Sequence, residues 1–175
     1  MEDYPSMTGM VQMFVMGIAL DTRTGTPIVV LNDEEGRRAL PIWIGTAEAS
    51  AIIRQLEKIK ASRPMTHDLI CDIIEKLGYK VDKVEINDLN VDTYYASVYL
   101  IGKSADAPDL VIDSRPSDAI ALALHEEANI FVTANVISEG TISTDKEKDE
   151  EEREAFKEFL KDIKPSDFKP KEGNN

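Results

Sequence analysis

From Val11 to Leu20, β-branched and long apolar side chains follow one another, the composition of a strand covered over most of its length, and Gly17 within it marks a bulge or a close backbone approach. Asp21 to Thr26 has turn chemistry, and Pro27 to Leu31 resumes as a second strand. Asn32 to Gly36 turns the chain into a third, Arg37 to Trp43, and turns this short favour an antiparallel meander. The period then changes from two to that of a helix. Gly45-Thr46 opens one with Ala47, Ala51, Ile52 and Leu56 or Ile59 at its buried spacing. After a link over Ala61 to Pro64, the apolar positions Leu69, Ile70, Ile73, Ile74 and Leu77 recur at helical spacing from Thr66 until Gly78 ends the run.

Tyr79 to Ile86, Thr93 to Ile101 and Leu110 to Asp113 read as three further strands, with Asn87-Asp88-Leu89-Asn90 as the turn between the first two. The stretch from Asp113 to Glu127, DSRPSDAIALALHEE, begins polar and becomes almost purely apolar. It alternates like a strand from Ala119 to Leu124, but its Ala and Leu content predicts a buried helix, beginning at or just after Pro116 and capped by Ser117 or Ser114. Ile130 to Val132 and Val136-Ile137 are expected to add short edge strands. Beyond Gly140 the run Asp145 to Asp162 is charge-dense, and Ala155, Phe156, Phe159, Leu160 and Ile163 give it one apolar stripe. The expected fold is α+β: a flexible lead-in over residues 1–9, one domain over 10–140 with a mostly antiparallel or mixed sheet and packed helices, and a tail over 141–175. That tail holds a charged linker, the amphipathic helix and a disordered end.

The length of 175 residues suits one substantial core, and 42% hydrophobic with 30% charged residues fits a globular protein. No apolar run approaches the roughly 20 residues of a membrane helix, and the acidic start MEDYPSMTG is unlike a secretory signal, so a cytoplasmic protein without membrane contact is expected. One cysteine and two histidines exclude a zinc site of the finger type, and Cys71 reads as packing inside its helix. The net charge of −13, most of it carried ahead of residue 141, repels polyanions on average. A nucleic-acid substrate therefore requires a local basic site or a divalent metal held by carboxylates.

Candidate chemistry concentrates at two Arg-Pro helix starts. Arg63-Pro64 precedes Thr66, His67 and Asp68, and Arg115-Pro116 precedes Ser117 and Asp118. Free N–H groups at a helix start carry partial positive charge and suit phosphate. Glu48 falls in the first turn of the earliest helix, where it complements that helix's dipole.

The blocks LPIWIGTAEASAI (Leu40 to Ile52), RPMTHDL (Arg63 to Leu69), YYASVYL (Tyr94 to Leu100) and DSRPSDAIALAL (Asp113 to Leu124) resemble, in the same order, the bifunctional nuclease domain family. The resemblance covers roughly residues 10 to 140 and implies a compact α+β domain acting on DNA and RNA. The family's polar motif positions fall on Glu48, Arg63, Thr66, His67, Asp68, Asp113, Arg115, Ser117 and Asp118.

Phosphodiester hydrolysis needs an activated water, stabilisation of charge on the phosphate and protonation of the leaving oxygen. Arg63 and Arg115 are expected to hold the phosphate, with Thr66 and Ser117 as further substrate contacts. His67 is the expected acid or base, with Asp68, Asp118 and Glu48 completing the catalytic set. Asp113, Asp118 and Asp68 are expected to bind Mg²⁺ or Mn²⁺, ions that prefer hard oxygen ligands. The alternative is a non-catalytic regulatory module that binds an anion or a partner, with the same groups tied up as ion pairs. The amphipathic tail and open strand edges together predict a homo-oligomer, in the first instance a dimer.

Overall fold

The structure, a computed structural model, describes residues 9–144 and 154. The chain divides after Ile142, and the elements below belong to the first unit, apart from the last residue of the final strand. The expected lead-in up to residue 8 and the stripe Ala155, Phe156, Phe159, Leu160 and Ile163 lie outside the described residues.

β1 (Met10–Leu20), β2 (Pro27–Asp33) and β3 (Arg38–Trp43) form the meander, and the register slips between Val15 and Gly17, where the bulge was expected. Next come α1 (Thr46–Leu56) and α2 (Thr66–Lys76), then β4 (Tyr79–Asn90), β5 (Thr93–Gly102) and β6 (Leu110–Ser114). α3 (Pro116–Glu126), β7 (Asn129–Thr133), α4 (Ala134–Gly140) and the two-residue β8 (Ile142–Ser143) follow. The sheet order is β6-β5-β4-β7-β1-β2-β3-β8, antiparallel in every described pair except β4 with β7. This is an α+β fold with a mixed sheet.

Four expectations are corrected. β7, read as an edge, lies between β4 and β1, and the crossover through α3 makes it parallel to β4. Val136 and Ile137 belong to α4 and are buried, because one residue after β7 the chain turns inward as a helix. The turn expected at Asn87 to Asn90 is strand, and the hairpin closes at Val91-Asp92, with Asn90 paired to Thr93. In α1, Ala49 and Ile52 point inward while Ala47 is exposed, and Ile59 is exposed because the helix stops at Leu56.

α3 explains the ambiguous pattern around which the chain is built. Ala119, Ile120, Ala121, Leu122 and Ala123 are consecutively buried, because the helix is held between α1, α2 and the strands β4, β5 and β7. A helix covered all round has no polar face, so its sequence shows no 3.6 period. Under it lie Val84, Ile86, Ala96 and Val98, and the core continues through Met13, Val29, Leu31 and Leu40. α2 is different. His67 and Cys71 face inward with Ile74 partly covered, while Leu69, Ile70, Ile73 and Leu77 are 37–71% exposed.

Candidate functional site

Pro116 occupies the first turn of α3, which makes the preceding residue the cap: Arg115 sits at N-cap with φ −72° and ψ 147°, and no side chain caps the helix. Ser114 and Ser117, the expected caps, do otherwise. Ser114 Oγ donates to the Arg115 carbonyl at 2.9 Å, and Ser117 is buried in the first turn. In α2, Pro64 precedes the cap Met65, whose N–H donates to Asp68 Oδ2 at 2.9 Å. That bond satisfies one of the free donors at the helix start and fixes the Asp68 carboxylate.

α2 packs on α3, and residues of the two helix starts line two adjoining hollows. The larger, about 540 Å³, runs along the link from α1 to α2 and is lined by Arg54, Lys58, Lys60 and Arg63, with His67, Asp68 and His125 in its wall. Asp72 and Glu127 also border it. The smaller, about 230 Å³, collects Glu48, Thr66, His67, Arg115, Ser117 and Asp118 from the starts of all three helices. His67 borders both. Asp113 lines neither; it stands on β6 opposite Ser97.

In the smaller hollow Arg115 makes three hydrogen bonds to carboxylates of its own chain. Its Nε and Nη2 donate to the two oxygens of Asp118 at 2.7 and 3.0 Å, and its Nη1 donates to Glu48 Oε1 at 2.9 Å. The fork expected to hold a phosphate thus holds a carboxylate. The hydrogen bonds from Asp118, then those from Glu48, push the guanidinium pKa further up, so its charge is permanent. The Glu48 carboxyl is held below the usual glutamate range, first by its own backbone N–H and then by Arg115. It folds back against Gly45, where a Cβ would collide with it.

In the larger cleft Asp68 Oδ1 stands 3.2 Å from His67 Nε2 and 3.4 Å from His125 Nε2, and the two rings meet edge to face with centroids 6.3 Å apart. Gln55 Nε2 lies 2.8 Å from His67 Nε2. Donation from Gln55 suits the neutral imidazole, and an amide turned by half a revolution offers Oε1 to the protonated one, so Gln55 accommodates both states. His67 is 7% exposed.

Of the sequence-derived residues, Arg63, His67 and Asp68 meet in one cleft, and Glu48, Thr66, Arg115, Ser117 and Asp118 in the other, with His67 common to both. His125, Gln55 and the basic trio Arg54, Lys58 and Lys60 were missed. His125 is the chain's only other histidine, which was a usable signal; the others carry no motif and meet the cleft only through the fold.

Comparison with known proteins gives the family of the chain. Residues 29–145 match the family described as the bifunctional nuclease domain. An uncharacterized protein of Mycobacterium tuberculosis, Rv1829, is 37% identical over 163 residues, 89% of this chain and 96% of that one. Bifunctional nuclease 2 of Arabidopsis thaliana is 32% identical over 106 residues, 59% of this chain and 32% of the plant protein. Bifunctional nuclease 1 of Oryza sativa subsp. indica is 28% identical over 109 residues, 62% of this chain and 33% of its own length. With two thirds of its length matched, the chain belongs to the bifunctional nuclease domain family.

Proposed function

We propose that the protein hydrolyses phosphodiester bonds in DNA and RNA, with the cleft beside His67 as the site. One observation carries this reading: on a chain of net charge −13, four basic side chains, Arg54, Lys58, Lys60 and Arg63, gather on one cleft that also holds the His67 imidazole, with the Asp68 carboxylate 3.2 Å from its Nε2. That is the local basic site a polyanion requires. Arg63 contacts the phosphate, His67 moves the proton, and Asp68 orients His67. Arg115 sets Glu48 and Asp118, which together with Thr66 and Ser117 border the continuation of the site.

The carboxylates expected to bind metal do not gather at one point: among the described residues no such trio brings its oxygens together, and Asp113 lies apart on β6. A Mg²⁺ or Mn²⁺ ion would therefore rest on one or two carboxylates and complete its shell with substrate phosphate, as Mg²⁺ commonly does. Incubating the full chain with single-stranded DNA and RNA, with and without each ion and beside a control nuclease, tests the activity. His67→Ala and Arg63→Ala should each lose at least about 100-fold in turnover while the fold is retained. Absence of cleavage by wild type under conditions where the control works overturns the reading.

A second reading is favoured by the ion pairs of Arg115 with Glu48 and Asp118: a non-catalytic module that binds an anion or a partner through the same cleft. Oligonucleotide binding without cleavage, retained in His67→Ala, would identify it.

A homo-oligomer, a dimer in its simplest form, is part of the same proposal. It is supported by the outward face of α2 (Leu69, Ile73, Leu77) and by the edge strand β6, where Leu110, Val111 and Ile112 are all exposed. Light scattering on the full chain should give twice the chain mass, and Ile73→Glu with Leu77→Glu should reduce it; a wild-type monomer defeats the proposal.

A further inference from the structure

We propose a second, softer metal site one turn along α2 from His67, formed by Cys71 Sγ, His125 Nδ1 and Glu126 carboxylate oxygen and suited to Zn²⁺. Among the described residues this is the only group of three potential ligands whose donor atoms all lie within 4.8 Å of one another. Three side chains from two helices meet there because α2 packs on α3 with Cys71 facing its last turn.

The contacts already present outline the site. His125 Nδ1 lies 3.0 Å from Glu126 Oε1, and Cys71 Sγ lies within 4.8 Å of the facing donor atoms of both. With Nδ1 protonated, His125 donates to Glu126 along a line that a metal ion would replace. When Zn²⁺ enters, the Sγ–H bond breaks, the Sγ–Zn bond forms and one proton leaves to solvent. The imidazole stays neutral: its proton moves from Nδ1 to Nε2, where Asp68 Oδ1 stands 3.4 Å away to receive the hydrogen bond. A carboxylate bonded to the far nitrogen of a metal-bound histidine is the usual way such a ligand is oriented.

Charge and helix position agree. Thiolate and carboxylate together balance a divalent ion, and the site lies at the C-terminal end of α3, where the helix dipole favours a cation. Glu127 takes the left-handed conformation, φ 53°, immediately after His125-Glu126 and turns the chain away beyond them. A thiolate, an imidazole and one carboxylate suit Zn²⁺ or Co²⁺ and not Mg²⁺. The exclusion of a finger-type site is untouched, because a finger takes four Cys or His ligands and this site has one of each with a carboxylate. Three protein ligands leave a fourth position, and His125 itself borders the basic cleft.

The test uses the full chain, reduced and stripped of metal, and does not depend on nuclease activity. Co²⁺ should bind one ion per chain with a thiolate charge-transfer band in the near ultraviolet and the intense visible bands of a tetrahedral centre. Zn²⁺ should abolish both signals by displacement and release one proton per ion in weakly buffered solution. Cys71→Ser should remove the charge-transfer band. Glu126→Gln, at the outer end of the helix, keeps the core intact and should weaken Zn²⁺ by about 100-fold, and Asp68→Asn should weaken it by about 10- to 100-fold. A weak, octahedral Co²⁺ spectrum without the charge-transfer band, or Zn²⁺ bound equally by wild type and Glu126→Gln, overturns the proposal. Loss of cleavage with the metal signature intact would count against the nuclease reading alone.

Discussion

Arg115 illustrates how a residue's chemistry can be read correctly and its partner missed. An arginine ahead of a proline-started helix is suited to grip an anion, and the anions it grips are Asp118 and Glu48 from its own chain. Its side chain is 64% exposed, so each ion pair is screened, and Arg115→Ala should cost about 1 kcal/mol, a fall of about 2–4 °C in Tm for a chain of this size. Arg115→Lys should not restore it, because a point charge cannot make the forked bond to Asp118. The pH dependence follows from Glu48. Its carboxyl ionises below the usual glutamate range in the fold, so the stabilisation it shares with Arg115 is complete above that range and disappears as the pH falls through the lowered value. Thermal melts should therefore show wild type and Arg115→Ala separated at neutral pH and converging in acid. A difference that stays constant down to that pH assigns the effect to packing. Trp43 offers a local readout of the same kind. Its Nε1 donates to Asp21, whose carboxyl is lowered first by the Arg23 backbone N–H and then by Trp43. Fluorescence of this single tryptophan should titrate below the ordinary aspartate range.

At the scale of elements, most of the order was legible because most elements carry their own period and punctuation, and the exceptions have physical causes. α2 was recognised by its helical spacing, yet the apolar positions that gave it away are largely outside, and its inward face carries His67 and Cys71. Spacing reports that a stripe exists; it does not report which side meets the sheet. β7 is too short to say whether it is central, and only the crossover through α3 places it there. The hairpin of β4 and β5 was misplaced because Asn87 to Asn90 has the residues of a turn while Val91 and Asp92 make one. Both have positive φ, 45° and 62°, as a two-residue type I′ turn requires, and Val91 is 89% exposed, so nothing around it repays the strain on a β-branched residue. Replacing Val91-Asp92 by Asn-Gly should stabilise the domain by about 1 kcal/mol, and a lower Tm in that variant would show that the turn is held by contacts with the rest of the fold.

For the molecule as a whole, the charge of −13 sets how nucleic acid can be held, provided the cleft is where it binds. Four basic side chains line that cleft, with Asp68, Asp72 and Glu127 beside them, so at most about four phosphates can be neutralised there. For a single strand the slope of log K against log salt is about −0.7 per phosphate, which limits it to a magnitude near 3. The surrounding acidic surface acts in the opposite sense. Below about 0.1 M salt the screening length exceeds about 10 Å, the repulsion of the whole chain reaches the strand, and the gain in affinity on dilution should flatten. Fluorescence anisotropy of a labelled single strand, with metal withheld to prevent cleavage, should therefore give a shallow line that bends at low salt. Arg54→Ala, on the rim and outside the proton-transfer pair, should reduce the slope by about 0.7. A slope of twice that limit, or one unchanged in Arg54→Ala, would place the strand on another part of the chain and separate the basic cleft from the function proposed for it.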